Sequence, residues 1–231
     1  MHDANPRTAI SWVNLLLDYG DWAAPAAPGE QDELPGNNGA YRRAALLQFG
    51  DRLDELLDVE SVLQREMRRR GQRLYLEPAA RVVHLNCSQP GAGLAVQWLA
   101  GRLYGARRAR EEGWSRFRRL AYILAAPLIL LKRLTQLLAR LQRRGWRERP
   151  IRQLLPGLTW LLAAAAAGEA AGYLVGDGDA RRRMLPFELY RRRYLVRRDR
   201  EALARRVAGV PVSGVLGGQR AAHTERCTDN V

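Results

Sequence analysis

Residues 34–47, LPGNNGAYRRAALL, run from a turn directly into a helix. Positions 36–39 hold two glycines and two asparagines with no apolar side chain among them, which is typical of a tight turn. The periodicity that follows predicts a helix over residues 42–49, ended by Gly50. Such a segment is typical of a binding loop that rests on a helix N-terminus, where free backbone N–H groups attract negative oxygens. Turn formation alone also explains the Asn-Gly pair.

The elements predicted on either side of this stretch are mostly helical. Hydrophobic periodicity predicts helices over residues 10–17, 42–49, 53–70, 94–112, 114–143, 151–175 and 180–206. Alternating side chains predict two short strands, at residues 73–76 and 81–85. The predicted fold class is therefore an α/β fragment that is mostly helical. Its predicted regions are residues 1–90, a basic helical region over residues 91–206, and a disordered tail over residues 207–231.

The charge of the chain is distributed unevenly. Of its 231 residues, the first 60 carry eleven Asp or Glu and four Arg, a net charge of −7, whereas the rest carry a net charge of +21. An excess of this size predicts an anionic partner, such as phospholipid headgroups, a nucleic acid or a phosphorylated substrate. Cys87 and Cys227 lie far apart without any zinc-ligand spacing, which fits a reducing compartment. No signal peptide is expected at the N-terminus.

Two apolar segments raise the question of membrane association. Residues 120–131 are uncharged over 12 positions, about 18 Å of helix against the ~30 Å hydrocarbon core of a bilayer. Residues 154–175 are long enough to span, but Glu169 is costly at that depth. Between them, leucines at helical spacing over residues 134–141 lie among arginines and are followed by Trp146, a pattern that favours the headgroup layer. Interfacial or re-entrant association is preferred; a spanning helix and a soluble helical bundle stay open.

The motifs resemble a known enzyme family. LPGNNGAYRR, followed by residues 60–86, ESVLQREMRRRGQRLYLEPAARVVHLN, is similar to the C-terminal half of the catalytic domain of family 2 glycosyltransferases, which have the GT-A fold. The G-x-N-x-A-Y-R-R turn and the R-x-x-G…P-x-A-x-V-x-H ending occur in the family's order. The helices after His84 resemble the membrane-associated tail of a bacterial subgroup. The resemblance covers most of residues 10–200. It implies transfer of a sugar from a nucleotide-sugar to an acceptor hydroxyl at the cytoplasmic face of the bacterial inner membrane.

The resemblance implies that Glu60 is the catalytic base, the group that removes the proton of the acceptor hydroxyl. Val59 and Val62 stand where the family has further acids, so one carboxylate of three remains. A solvent-exposed helix glutamate is the alternative interpretation of Glu60.

The resemblance also implies binding roles for four other residues. Asn37, Asn38 and Arg42 would contact the acceptor, since amides and guanidinium groups hydrogen-bond to hydroxyl and phosphate oxygens. His84 would lie near the donor diphosphate or its metal, because a neutral imidazole binds divalent ions. Turn formation, a solvated helix face and a buried histidine at a strand end are the respective alternatives.

The donor side of the family's fold is expected to be missing. The 35 residues before Gly36 show no alternation of strands and helices and no DxD motif, which holds Mg²⁺ or Mn²⁺ in the family. Asp177-Gly178-Asp179 is a DxD at the wrong place in the chain, and we interpret it as the cap of a helix starting near Ala180. No complete metal site is expected, and the chain alone is predicted to be inactive. Nucleotide-sugar and acceptor become partners only if the missing half is supplied.

A non-catalytic function is the alternative. The arginine runs at residues 68–70, 181–183 and 191–193 are compatible with a basic helical protein that binds a membrane surface or a nucleic acid. Tyr190 and Tyr194 lie beside leucines, which indicates the packing side of a helix rather than bases stacked on aromatic rings. An anionic membrane surface is therefore the predicted partner, and nucleic acid is disfavoured.

Overall fold

The computed structural model describes residues 2–23, 26–143, 145–146 and 149–208, without the side chains of Asn37 and of residues 206–208. The predicted tail lies outside these residues, apart from its first two positions, which end a helix. Within this part the chain is mostly helical with little strand, as predicted.

Ten α-helices and four short strands occur among the described residues. The strands are β1 His2–Asp3, β2 Gly29–Gln31, β3 Leu74–Leu76 and β4 Val83–His84. The helices are α1 Ala9–Tyr19, α2 Arg43–Leu47, α3 Leu53–Leu57, α4 Glu60–Arg69, α5 Pro90–Glu111, α6 Arg116–Leu124, α7 Ala126–Arg143, α8 Ile151–Val175, α9 Ala180–Leu189 and α10 Arg197–Ala208. Short 3₁₀ turns lie at Gly36–Asn38, Gly50–Arg52 and Arg191–Tyr194.

Three helices predicted as continuous are broken. The helix predicted over residues 53–70 stops at Asp58, whose carboxylate forms ion pairs with Arg107 and Arg181, and Val59 is extended before α4 begins. The helix predicted over 114–143 divides into α6 and α7, which are bent by 59°. Pro127 has no N–H to donate to the carbonyl of Ile123, four residues earlier, and its ring crowds that carbonyl, so one straight helix cannot continue through the break at Ala125. The segment 180–206 divides into α9, a 3₁₀ turn and α10.

The four strands form two separate sheets. β3 pairs antiparallel with β2, and β4 pairs parallel with β1. The sequence predicted β3 and β4 but missed their partners, because two or three residues are too few to show alternation. The two pairs are nested in the chain, and both bring the first 31 residues against residues 74–84.

α8 is the central helix, and it packs most extensively against α5. Gly101 of α5 and Gly168 of α8 lie where the two backbones nearly touch: a Cβ at either would collide with a carbonyl oxygen of the other helix, that of Ala165 or Trp98. Gly105 and Gly172 repeat this arrangement one turn further along. The small-xxx-small spacing in both helices allows this close approach.

The other side of α8 is covered by α1 and α7. Their buried leucines share one hydrophobic cluster with α8, which crosses residue 90, the boundary between the two predicted regions. The leucines over residues 134–141 pack against this cluster, so they face the protein interior and not a headgroup layer. α8 is long and apolar enough to cross a membrane. The pair α6–α7 is also long and apolar enough when its two helices are counted as one segment, although that segment is bent.

Candidate functional site

A cavity of about 600 Å³ lies between α1, the turn at residues 34–36, the start of α4, and helices α5, α7 and α9. Its wall carries the carboxylate side chains of Asp18, Glu60 and Glu188. Gln97 donates a hydrogen bond to Asp18. Among the described residues, no hydrogen-bond or ion-pair partner is found for the other two carboxylates. The wall also carries the phenol of Tyr19 and the guanidinium of Arg191. We take this cavity, with its cluster of charged and hydroxyl groups, as the candidate site.

Glu60 is the first residue of α4, and it faces Gly36 of the turn. A Cβ on Gly36 would fall on the carboxyl group of Glu60, so a glycine at this position lets the glutamate lie against the turn. Among the described residues the Glu60 carboxylate makes no hydrogen bond or ion pair. The carboxylate is therefore free to accept a hydrogen bond from a ligand in the cavity.

His84 lies behind Arg191 rather than at the cavity surface. Its Nε2 accepts from the Arg191 guanidinium at 2.8 Å and lies 3.3 Å from the Tyr19 hydroxyl, while its Nδ1 donates to Asn86 Oδ1 at 2.7 Å. Burial, reinforced by the Arg191 charge, lowers the pKa of His84 to about 4. The imidazole is thus neutral, and its lone pair is occupied by Arg191. Its effect on the cavity is to orient Arg191.

The predicted acceptor contacts are placed differently. Asn38 is exposed, and its side-chain amide donates to the Ala80 carbonyl at 3.1 Å, which ties the turn to the loop after β3. Arg42 is exposed, and neither residue lines the cavity. The side chain of Asn37 lies outside the described residues. The structure therefore brings Glu60 and the backbone of the turn to the cavity, but not Asn38 or Arg42.

Asp18 is the functional candidate that sequence reasoning missed. It lies near the end of α1, its Oδ1 accepts from Gln97 Nε2 at 2.8 Å, and no partner for Oδ2 is found within the described ranges. Burial raises the pKa of Asp18 to about 6, against the lowering effects of Gln97 and Arg191. The only sequence signal is an aspartate that interrupts the apolar run LLLDY.

Tyr19 lies among the charged groups of the cavity. Burial raises the pKa of its phenol, and Asp18, Glu60 and Glu188 raise it further while Arg191 opposes them. Carboxylates accept hydrogen bonds from hydroxyl groups, and a guanidinium donates to oxygens. Trp22, Tyr104 and Phe187 add aromatic surface to the wall. A hydroxyl-rich ligand with apolar ring faces fits this combination.

The displaced DxD motif is held by arginines. Asp177 lies 3.4 Å from Arg107 and 3.6 Å from Arg110, and Asp179 immediately precedes α9 without a side-chain capping hydrogen bond. The start of α9 at Ala180 agrees with the prediction, whereas the capping contact is absent. In the described residues no group of three or more His, Cys, Asp or Glu side chains has an arrangement suited to a metal ion.

Comparison with known proteins adds no relative to these observations. The chain matches no protein-family model, no curated protein and no solved structure at a significant level. The similarity to family 2 glycosyltransferases therefore stays a prediction from the motifs quoted above.

Proposed function

We propose that the chain forms the acceptor side of a GT-A-type glycosyltransferase of family 2. The proposed reaction transfers a sugar from a nucleotide-sugar to an acceptor hydroxyl at the cytoplasmic face of a bacterial membrane. The nucleotide-sugar is held by a separate segment or chain, together with the Mg²⁺ or Mn²⁺ that the resemblance implies. Held on that separate donor side, such a metal would stabilise the charge of the leaving diphosphate.

One observation carries this proposal: the Glu60 carboxylate lies free in the cavity wall against the turn at Gly36. The turn that carries part of the resemblance thus lies beside Glu60, the residue to which the resemblance assigns the role of base. In the proposed step the acceptor oxygen attacks the sugar's anomeric carbon and its proton passes to Glu60. The bond from that carbon to the diphosphate oxygen breaks, and the diphosphate leaves with the electron pair.

The arginine runs give less support to nucleic-acid binding. Each run has at least one member held by an internal partner: Arg68 by Asp32 at 2.6 Å, Arg181 by Asp58 at 2.7 Å, and Arg191 by His84 at 2.8 Å. A nucleic-acid surface needs free cations that neutralise phosphates together. We therefore prefer the sugar-transfer function, with nucleic acid disfavoured.

Sugar binding tests the acceptor side directly. Saturation-transfer NMR of the full chain with methyl glycosides of glucose, galactose and mannose at millimolar concentration should transfer magnetisation to at least one glycoside. Glu60→Gln should reduce that signal, because an amide accepts hydrogen bonds from hydroxyls less strongly than a carboxylate. Glu201→Gln is the matched control, since Glu201 lies on α10 and contacts Arg197. Absence of transfer to all three glycosides contradicts the proposal.

The need for a separate donor side has its own test. The purified chain, incubated with nucleotide-sugars and Mn²⁺, should give no sugar transfer to glycosides or membrane lipids. Robust turnover by the chain alone would show that it holds the nucleotide itself, and the divided arrangement would then be wrong.

A further inference from the structure

The bent helix pair α6–α7 carries a row of exposed large apolar side chains. We name this row the apolar stripe; it consists of Phe117, Leu120, Leu124, Leu128 and Leu131, whose exposed fractions are 86%, 52%, 72%, 71% and 55%. The spacing of three or four residues places them along one side of the pair and continues through the bend. Continuous exposed apolar surface of this kind marks an interaction site.

The opposite side of the same helices is already used by the protein core. Tyr122 and Ile123 of α6 pack around Trp114 and Tyr173, and Leu137 and Leu141 of α7 belong to the cluster shared with α1 and α8. The stripe is therefore a second apolar face on helices whose first apolar face is buried. Folding of the described chain leaves it uncovered.

The charge around the stripe identifies its partner. Residues 113–146 contain eight Arg or Lys and no Asp or Glu. Arg116 and Arg118 lie exposed on α6 beside the stripe, and Lys132 lies exposed beyond its last leucine. A second copy of this face would bring like charges together, whereas an anionic lipid surface offers apolar depth and opposite charge.

We infer that the apolar stripe docks on an anionic phospholipid bilayer, with α6 and α7 lying in the plane of the interface. α6 has nine residues, about 14 Å of helix, and the 59° bend prevents the pair from forming one straight span. α8 stays part of the protein, because α5 covers it and its Glu169 carboxylate binds the Arg133 guanidinium at 2.7 and 3.2 Å.

Vesicle flotation of the full chain tests this docking. The chain should float with vesicles of phosphatidylglycerol and phosphatidylcholine, and less with phosphatidylcholine alone or in high salt. Leu124→Glu/Leu128→Glu should lower the partition coefficient by more than about tenfold, since both leucines would then place a charge in the apolar layer. Both side chains are exposed, so the fold should be retained, which circular dichroism checks.

Leu47→Glu/Leu57→Glu is the matched control, with exposed leucines on α2 and α3. It should bind vesicles within about twofold of the unchanged chain. Three results overturn the inference: no flotation of the unchanged chain, an equal loss in the control, or a vesicle-free dimer that Leu124→Glu/Leu128→Glu dissociates, which would make a second copy the partner. None of these measurements involves Glu60 or the cavity. The docking inference can therefore be contradicted without contradicting the sugar-transfer proposal, and the reverse also holds.

Discussion

Asp18 and His84, both held beside Arg191, respond to pH in opposite directions. For Asp18 the folded-state pKa of about 6 exceeds the unfolded value of 3.8. Ionisation of this carboxyl therefore does not affect the unfolding free energy at low pH, and it lowers that free energy as pH rises from 3.8 to 6. Asp18→Asn should therefore raise the unfolding free energy at pH 8 by roughly 3 kcal/mol and leave it nearly unchanged at pH 3.5. Urea denaturation at the two pH values measures this. An equal effect at both would refute the buried ionisation.

His84 should show the reverse dependence. Its folded-state pKa of about 4 lies below the ordinary 6.5, so the unfolded chain takes up the proton first and stability is lost as pH falls from 6.5 to 4. His84→Gln keeps an acceptor for Arg191 but cannot titrate. Relative to this variant, the unchanged chain should lose roughly 2 kcal/mol of unfolding free energy between pH 7 and pH 4. A constant difference across that range would contradict the neutral histidine.

Sequence reasoning located individual site residues where a motif fixes them and failed where burial decides. Glu60 follows from its distance to the glycine at residue 71, and the structure places it in the cavity wall. Asn38 has the right chemistry for a ligand, but its amide is used by Ala80. Asp18 has no motif around it, and its elevated pKa arises from burial by elements packed on α1, such as α5, whose Gln97 is 79 residues away in sequence.

At the scale of the secondary-structure elements, the close contact between α5 and α8 depends on glycine residues in both helices. Gly168→Ala should destabilise the chain by about 2 kcal/mol or more, because the new Cβ collides with the Trp98 carbonyl oxygen and the two backbones must separate. Gly91→Ala is the control, since its Cβ would meet nothing within 4 Å in the first turn of α5. Thermal denaturation compares the two; equal shifts would mean that helix propensity, not packing, sets the effect.

The Arg133–Glu169 ion pair joins α7 to α8. Glu169→Leu alone leaves the Arg133 guanidinium without its partner and should cost about 2–4 kcal/mol. The double change Arg133→Leu/Glu169→Leu should be less destabilising than the single one, because no uncompensated charge is left. Urea denaturation gives the unfolding free energy of both variants. A double variant that is less stable than the single variant would contradict this account.

Elements were predictable where periodicity is long and unpredictable where a tertiary contact interrupts it. α8 was predicted at its observed bounds from 25 residues of helical pattern. The break at Asp58 depends on Arg107 and Arg181, which lie far along the chain. β1 and β2 form by pairing with strands that are distant in sequence, and no local sequence pattern predicts them.

At the scale of the whole molecule, the shared cluster of α1, α7 and α8 predicts cooperative unfolding. Trp12 of α1 contacts Trp146 edge to face, with ring centroids 5.1 Å apart. Trp12→Ala should lower the unfolding free energy by about 3 kcal/mol or more and shift one single transition. Trp160→Ala, an exposed position on α8, should change it by at most about 0.5 kcal/mol. Two separate transitions would mean that the segments before and after residue 90 fold alone.

The nested strand pairs set an order of events in folding. Glu30 and Arg73, at the inner pair, are 43 residues apart, whereas Asn5 and Asn86, beside the outer pair, are 81 apart. Closing the shorter loop first brings the chain ends of the longer one together, so the entropy lost at the second closure is smaller. We therefore expect β2 and β3 to pair in a newly made chain before β1 joins β4, so that residues 2–3 are the last of these strands to be placed.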